Sequence, residues 1–326
     1  MRAAVYRRTG GSDVLSVEEI DVPAPGPGEV RVRVALSGVN PTDWKSRSGA
    51  TGGQPDGFQV PHQDGSGVID AVGEGVSQDR VGQRVWMFLA AARNRYGTAA
   101  EYCVLPAGRA IPLPGNASDE LGASLGVPAL TAAHCLGCVG GGPGSLEGAA
   151  VLVAGGAGAV GHFAVQLAKQ AGARVATTVS SEDKARLARE AGADLVVNYR
   201  EDGAAEALRT FSPRFARIVE VALGANLDLD LALSGPGTVI VNYAAEAANP
   251  VLPTRKLMNA NVTLHFVLLY GVPAQELEAA VGWVEGALVA GALTELPVHR
   301  YPLDEIAAAQ EAVEANVVGK VLVVPG

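Results

Sequence analysis

The sequence predicts an α/β protein in two parts: a doubly wound, parallel six-stranded sheet with helices on its faces, and a β-rich unit curled into a partial barrel. Three observations carry this. From about residue 118 onward, short β-branched runs alternate with helical patterns, the rhythm of β-α-β units. Before that point the chain is a series of short strands broken by glycine and proline. Third, the apolar run Val151, Leu152, Val153, Ala154 breaks into glycines that lead directly into a proline-free helical pattern.

In the first part, residues 3–6, 14–20 and 30–36 are expected as strands. Residues 22–29 cannot be helical, because Pro23, Pro25 and Pro27 lack N–H donors and fix φ. Val30, Val32 and Val34 alternate with Arg31 and Arg33, so the valines share one face of a strand. Strands at 68–72, 84–89 and 99–104 complete the set. Asn40, Thr42, Asp43, His62, Gln63 and Asp64 are polar residues expected at the turns between them.

Ser118, Asp119 and Glu120 then supply an N-cap and an acidic first turn, and Pro128 opens a further helix through Thr131 and His134 towards Gly137. Residues 140–145 read as a short connection. Strands follow at 151–154, 174–179, 194–198, 218–221, 238–241 and 262–268, separated by helices that include 182–190, 204–211 and 227–233. The tail carries a helix at 274–290, an extended stretch at 295–300, a helix at 303–315 and a strand at 318–324. These have no partner in the six-stranded sheet, so the expected division is 1–124 with 266–326 against 125–265, with an active cleft between the parts. The apolar strand 262–268 is an expected sheet edge, and its cover is expected from a second copy in a homodimer.

Gly156, Gly158 and Gly161 fit G-x-G-x-x-G between strand and helix, the fingerprint of a Rossmann-type dinucleotide site. Gly156 is expected to permit the tight turn, Gly158 the approach of a pyrophosphate, and Gly161 close helix–strand packing. The first amides of the helix would then face the phosphates. A plain glycine turn is the alternative.

Composition narrows the partners. A net charge of −9 argues against nucleic acid or an anionic membrane surface. The 21-residue stretch 148–168 has no formal charge, yet its glycines and strand-to-helix switch argue against a membrane span. Residues 1–8 lack the apolar centre of a signal peptide, and the cytoplasm is the expected location. Cys103, Cys135 and Cys138 are too few for a disulfide framework. Cys135 and Cys138 form C-x-x-C, but no second C-x-x-C or H-x-x-x-H accompanies it, so two helical thiols sharing one face are expected, not a metal centre.

A series of motifs in order resembles the medium-chain dehydrogenase/reductase superfamily, in particular its zinc-free, zeta-crystallin-like quinone oxidoreductases. They are Ser37-Gly38-Val39-Asn40-Pro41-Thr42-Asp43 with Arg47-Ser48-Gly49, then Val60-Pro61-His62-Gln63-Asp64-Gly65-Ser66-Gly67, and Ala71-Val72-Gly73-Glu74-Gly75-Val76. Val81-Gly82-Gln83-Arg84-Val85, Thr131-Ala132, the fingerprint, Ala191-Gly192-Ala193-Asp194, Asn198-Tyr199-Arg200 and Val318-Gly319-Lys320-Val321-Leu322 extend it nearly end to end. The resemblance implies that the first part is a GroES-like domain. Zinc-dependent members place cysteine where Asn40 stands and histidine near Gln63, so no catalytic metal is implied; His62 is read as a turn residue. It further implies hydride transfer from a nicotinamide to a quinone or α,β-unsaturated carbonyl, with Asn40 donating to the acceptor oxygen and Asp43 tying down its loop, or else simply capping the following helical turn. Cofactor contacts are implied at Asn40, Thr131, Gly156, Gly158, Ala159, Val160, Ser180, Ser181, Lys184, Tyr199, Asn242, Phe266, Leu268 and Lys320. Tyr96 is a candidate proton donor or a packing residue.

The cofactor choice is read after the strand at 174–179, where an NAD site usually carries an acid. Here Ser180 and Ser181 end the strand and Lys184 follows within a turn, a set suited to the 2′-phosphate of NADPH. Glu182 and Asp183 are expected in the first helical turn, facing solvent. Two other readings stand beside the NADPH-dependent quinone or enone reductase: an enoyl-thioester reductase, and a nucleotide-binding protein with little catalysis.

Overall fold

The computed structural model describes residues 1–51, 53–139, 141–245 and 248–326. The chain forms two compact units, Met1–Val127 with Glu295–Gly326, and Pro128–Thr294. The first opens with β1 (Arg2–Val5) and β2 (Ser16–Glu19), which pair antiparallel. It continues through β3 (Glu29–Gly38), α1 (Pro41–Ser48), β4 (Asp64–Val72), β5 (Arg84–Met87), β6 (Tyr102–Pro106) and β7 (Ala110–Pro112). α2 (Asp119–Gly137) leads into the second unit and is bent at Gly126, two residues before Pro128, where the backbone leaves helical geometry. The second unit holds β8 (Ala150–Ala154), α3 (Ala159–Gln170), β9 (Arg174–Val179), α4 (Glu182–Glu190), β10 (Leu195–Asn198) and α5 (Ala204–Phe211). β11 (Arg217–Glu220), α6 (Leu223–Ala232), β12 (Val239–Asn242), α7 (Thr254–Ala260), β13 (Thr263–Phe266) and α8 (Ala274–Val289) complete it. The chain returns to the first unit with β14 (Val298–Pro302), α9 (Ile306–Glu314) and β15 (Lys320–Val324).

In the first unit the sheet runs β14-β15-β3-β4-β5-β7, with β6 also on β3, and only the β14–β15 pair is parallel. Val30, Val32 and Val34 are buried while Arg33 is exposed, the expected alternation. The valines pack with Ile69, Val85, Met87, Cys103 and Leu105 in one core. A second core joins β1 to Leu303, Ile306, Ala309, Val321 and Val323, so the C-terminal segment is part of this unit's interior.

In the second unit all six strands are parallel in the order β10-β9-β8-β11-β12-β13, the doubly wound sheet that the sequence predicts. Strand order reverses between β8 and β11, so the turn after β8 sits at the switch point where such sheets bind ligands. One face is covered by α5 and α6 through Leu208, Leu223 and Leu227, with Phe215 from the connection before β11, packed on Leu152, Ile218 and Ile240.

Three expectations are corrected. The unit ends at Thr294 rather than 265, because α8 belongs to it: the Trp283 indole donates to Gln170 Oε1 at 2.9 Å, at the end of α3. The turn expected around Thr42 and Asp43 is the helix α1, with Pro41 at its first position and Gly49 closing it at φ 88°. α7 was not expected, since its seven residues are too few to show a periodic face. The expected connection at 140–145 includes Gly140, which lies outside the described residues. No helix among the described residues is long and apolar enough to cross a membrane.

Candidate active site

Each unit carries part of the expected constellation. In the first, the end of β3 and the start of α1 present Asn40, which is buried. Its amide is held at both ends: Lys320 Nζ donates to Oδ1 at 2.8 Å, and Nδ2 donates to Asp64 Oδ2 at 2.6 Å. Lys320 also donates to the Val39 carbonyl at 3.1 Å, and Asp64 Oδ1 accepts the Val127 amide at 2.8 Å. Asp43 Oδ2 accepts the Asn40 backbone N–H at 2.7 Å, the reach-back of an acidic residue in the first turn of a helix. Asp43 thus ties Asn40 down and caps α1 at once; the two readings are one interaction.

The charges sit in a dry place. Burial pushes Asp43 up to about 8, opposed by the Asn40 N–H and Lys320, and reinforced by Asp64. Burial also raises Asp64, against the pull of Lys320 and Asn40, and lowers Lys320, against Asp64 and Asp43. Gln63 Oε1 is buried without a hydrogen-bond partner among the described residues. Such an atom calls for a ligand or water.

His62 is a turn residue with φ 78°, and it is buried. Its neighbours determine its tautomer. Thr98 Oγ1 donates to the Asp64 carbonyl at 2.5 Å, and Ser37 Oγ lies 2.8 Å from Thr98 Oγ1 and 2.9 Å from His62 Nδ1. At the other end Arg47 Nε donates to Gln310 Oε1 at 2.6 Å, and Gln310 Nε2 lies 3.2 Å from His62 Nε2. Nε2 therefore accepts and Nδ1 carries the proton. Burial, helped by Lys320, lowers His62 to about 3. With both nitrogens engaged, it is no substitute for a missing metal ligand. Tyr96 packs edge-on against Phe58, ring centroids 5.9 Å apart.

In the second unit the glycine turn follows β8. Gly155 has φ 71°, so it is this glycine, absent from the expected set, that permits the turn. Gly156 has another reason to be glycine: a Cβ there would lie 2.1 Å from Thr177 Oγ1 on β9. At Gly161 a Cβ would lie 2.2 Å from the Gly155 carbonyl oxygen, so this position holds α3 against the turn. Gly158 differs in degree: a Cβ there would meet the Gly155 carbonyl oxygen at 3.3 Å, a tight contact but a much milder one. Gly158 is the N-cap of α3, and the first intrahelical bond runs from His162 N to its carbonyl at 2.8 Å. The amides of Ala159 and Val160 are therefore free of intrahelical partners.

Ser180 and Ser181 follow β9. Lys184 Nζ donates to Ser180 Oγ at 3.2 Å and Lys184 N to Ser181 Oγ at 3.4 Å, which gathers the three residues into one cluster. Glu182 turns away to pair with Arg189 at 2.7 Å, and both acids at 182 and 183 are exposed. The Tyr199 N–H donates to the Val179 carbonyl at 3.1 Å, beside Ser180, and the residue is 53% exposed. At the same ends of the sheet, Asn242 is in register with Phe266. Asn242 Nδ2 donates to the Ala244 carbonyl at 2.9 Å, while its buried Oδ1 has no partner among the described residues. Phe266 and Leu268 are exposed, and Thr131 is buried in α2. Free helix amides after Gly158, a hydroxyl–ammonium cluster and an orphaned acceptor at Asn242 fit a dinucleotide, which asks for phosphate donors and an amide acceptor.

A Rossmann-type sheet joined to a GroES-like unit in one chain is the fold of the two-part dehydrogenases and reductases. The sequence family described as "Alcohol dehydrogenase GroES-like domain" matches residues 26–115, and "Zinc-binding dehydrogenase" matches 159–286. The quinone oxidoreductase of Lama guanicoe is 30% identical over 317 residues, which cover 95% of this chain and 93% of that protein. A solved NAD-dependent alcohol dehydrogenase superposes with a TM-score of 0.88 at 28% identity, covering 100% of both chains. A mycobacterial protein solved in complex with NADPH gives 0.84 at 30% identity, again over 100% of both. The chain belongs to the medium-chain dehydrogenase/reductase superfamily, as a relative of its quinone oxidoreductases.

Proposed function

We propose that this oxidoreductase reduces quinones or other α,β-unsaturated carbonyls with NADPH, without a catalytic metal. One observation carries the reading: where a zinc-dependent relative would need a thiolate and an imidazole, this chain has amides, and the Asn40 amide is held by Lys320 and Asp64. Bound NADPH supplies the hydride. The chain's part is to bind and orient. Asn40 keeps a second Nδ2 hydrogen that makes no bond among the described residues, and it meets negative charge growing on the acceptor oxygen. Lys320 polarises that amide through Oδ1, and Asp43 and Asp64 hold it in place. The Ser180, Ser181 and Lys184 cluster receives the 2′-phosphate, which favours NADPH over NADH.

The enzyme acts as a homodimer. β13 is the edge of its sheet, and Met258, Phe266 and Leu268 around it are exposed at 75%, 57% and 68%. Solution mass measurement is expected to give two chains, and a monomer overturns this part.

Steady-state oxidation of NADPH by a quinone, an enone and a crotonyl thioester tests the function. Turnover with the first two, unchanged by a chelator, is expected. Turnover only with the thioester, or a zinc requirement that persists in Cys138→Ser, overturns it.

A further inference from the structure

The second unit gathers a set of side chains that the proposed reaction does not use. Cys138 follows directly on α2, and its N–H donates to the His134 carbonyl at 2.7 Å, so the last helical turn carries both side chains on one side. β13 brings His265 to them through its register with Val241. The metal-capable atoms of His134, Cys138 and His265 all lie within 4.8 Å of one another. Glu276, in the first turn of α8, places Oε2 3.8 Å from His134 Nε2.

Neither imidazole makes a hydrogen bond among the described residues. Their ring centroids are 6.4 Å apart at 59°, so the rings are not stacked in place of a ligand. The Cys138 thiol makes a weak contact to the Cys135 carbonyl at 3.9 Å and faces the backbone N–H groups of Cys138 and Val139. The other thiol of the C-x-x-C motif, Cys135, is fully buried and has no place in the set.

We infer that His134, Cys138 and His265, with Glu276 as the fourth ligand, bind a divalent transition-metal ion, zinc foremost. The donors decide the class of ion: one thiolate, two imidazoles and a carboxylate suit borderline-soft zinc and not magnesium or calcium. Zinc bonds of about 2.0–2.3 Å put tetrahedral ligand atoms roughly 3.5 Å apart, so the set closes by about 1 Å of side-chain rotation. A thiolate and a carboxylate neutralise the dication. The ion would join the end of α2 to the edge strand and to α8. Sequence spacing concealed the site, because 127 positions separate Cys138 from His265.

Metal-free protein titrated with Co²⁺ is expected to develop a thiolate-to-cobalt charge-transfer band that saturates at one equivalent and disappears on adding zinc. One equivalent of zinc is expected to raise the melting temperature. Cys138→Ser abolishes the band, His265→Gln weakens cobalt binding about tenfold or more, and Cys135→Ser keeps the band. No band in the parent protein, a band that survives Cys138→Ser, or a melting temperature indifferent to zinc overturns the site. These readouts involve no turnover, so they stand or fall apart from the proposed reaction.

Discussion

Lys184 is the single-residue test of the proposed cofactor choice. It donates to Ser180 Oγ, on the side of its helix away from the Glu182–Arg189 pair. Lys184→Ala is expected to weaken NADPH binding by about 1–3 kcal/mol and NADH binding hardly at all, because only the 2′-phosphate meets that charge. Equal losses measured for the two cofactors would assign the ribose to the acids. Asn40 is the other single-residue test. Asn40→Ala removes an acceptor from buried Lys320 and a donor from the site, so kcat should fall much more than cofactor affinity. Unchanged turnover removes Asn40 from the reaction. Both residues stood in legible motifs, but the link from Lys320 to Asn40 spans 280 positions and no local pattern contains it.

The strand–turn–helix element separates glycines that look alike in a sequence. Gly156→Ala places a Cβ against Thr177, so a loss of about 1–3 kcal/mol in stability is expected, seen as a lower melting temperature. Gly158→Ala meets only the Gly155 carbonyl oxygen, at 3.3 Å, and should cost less stability than Gly156→Ala while weakening nucleotide binding, since the methyl stands at the start of α3. The reverse pattern in melting and binding assays would exchange their roles. The fingerprint was readable because strand, turn and helix lie within a dozen residues. The division of labour was not, since it depends on Thr177 from the neighbouring strand and on a positive φ at Gly155. α1 carried its own marks, Pro41, Asp43 and Gly49, yet its polar sequence lacks an apolar stripe and so read as a turn.

Across the whole molecule, buried ionisable groups set the pH response. Burial raises Asp43 and Asp230 to about 8, the latter helped by the Glu220 carboxylate. Both stabilise the fold while protonated, and that contribution is lost as pH rises from the ordinary carboxyl range, about 3.9, towards 8. His62, lowered to about 3, acts in the opposite sense: its contribution is present above about 6.5 and lost as pH falls. The effects oppose one another between about 4 and 6.5; above that the His62 contribution is complete, while the two carboxyl groups go on losing theirs. The melting temperature is therefore expected to fall between about pH 6.5 and 8, and to fall less in Asp43→Asn, whose amide oxygen can still accept the Asn40 N–H. A melting temperature that rises over this interval contradicts the assignment.

What the sequence determined by itself is whatever short-range periodicity encodes: the six parallel strands, the valine face of β3, the fingerprint turn and the serines after β9. Each depends on neighbours a few positions apart. Tertiary structure alone decided that α8 completes the second unit, that His62 carries its proton on Nδ1, and that His134 and Cys138 meet His265. Those features arise between side chains distant in sequence, where burial and hydrogen-bond geometry choose the partners.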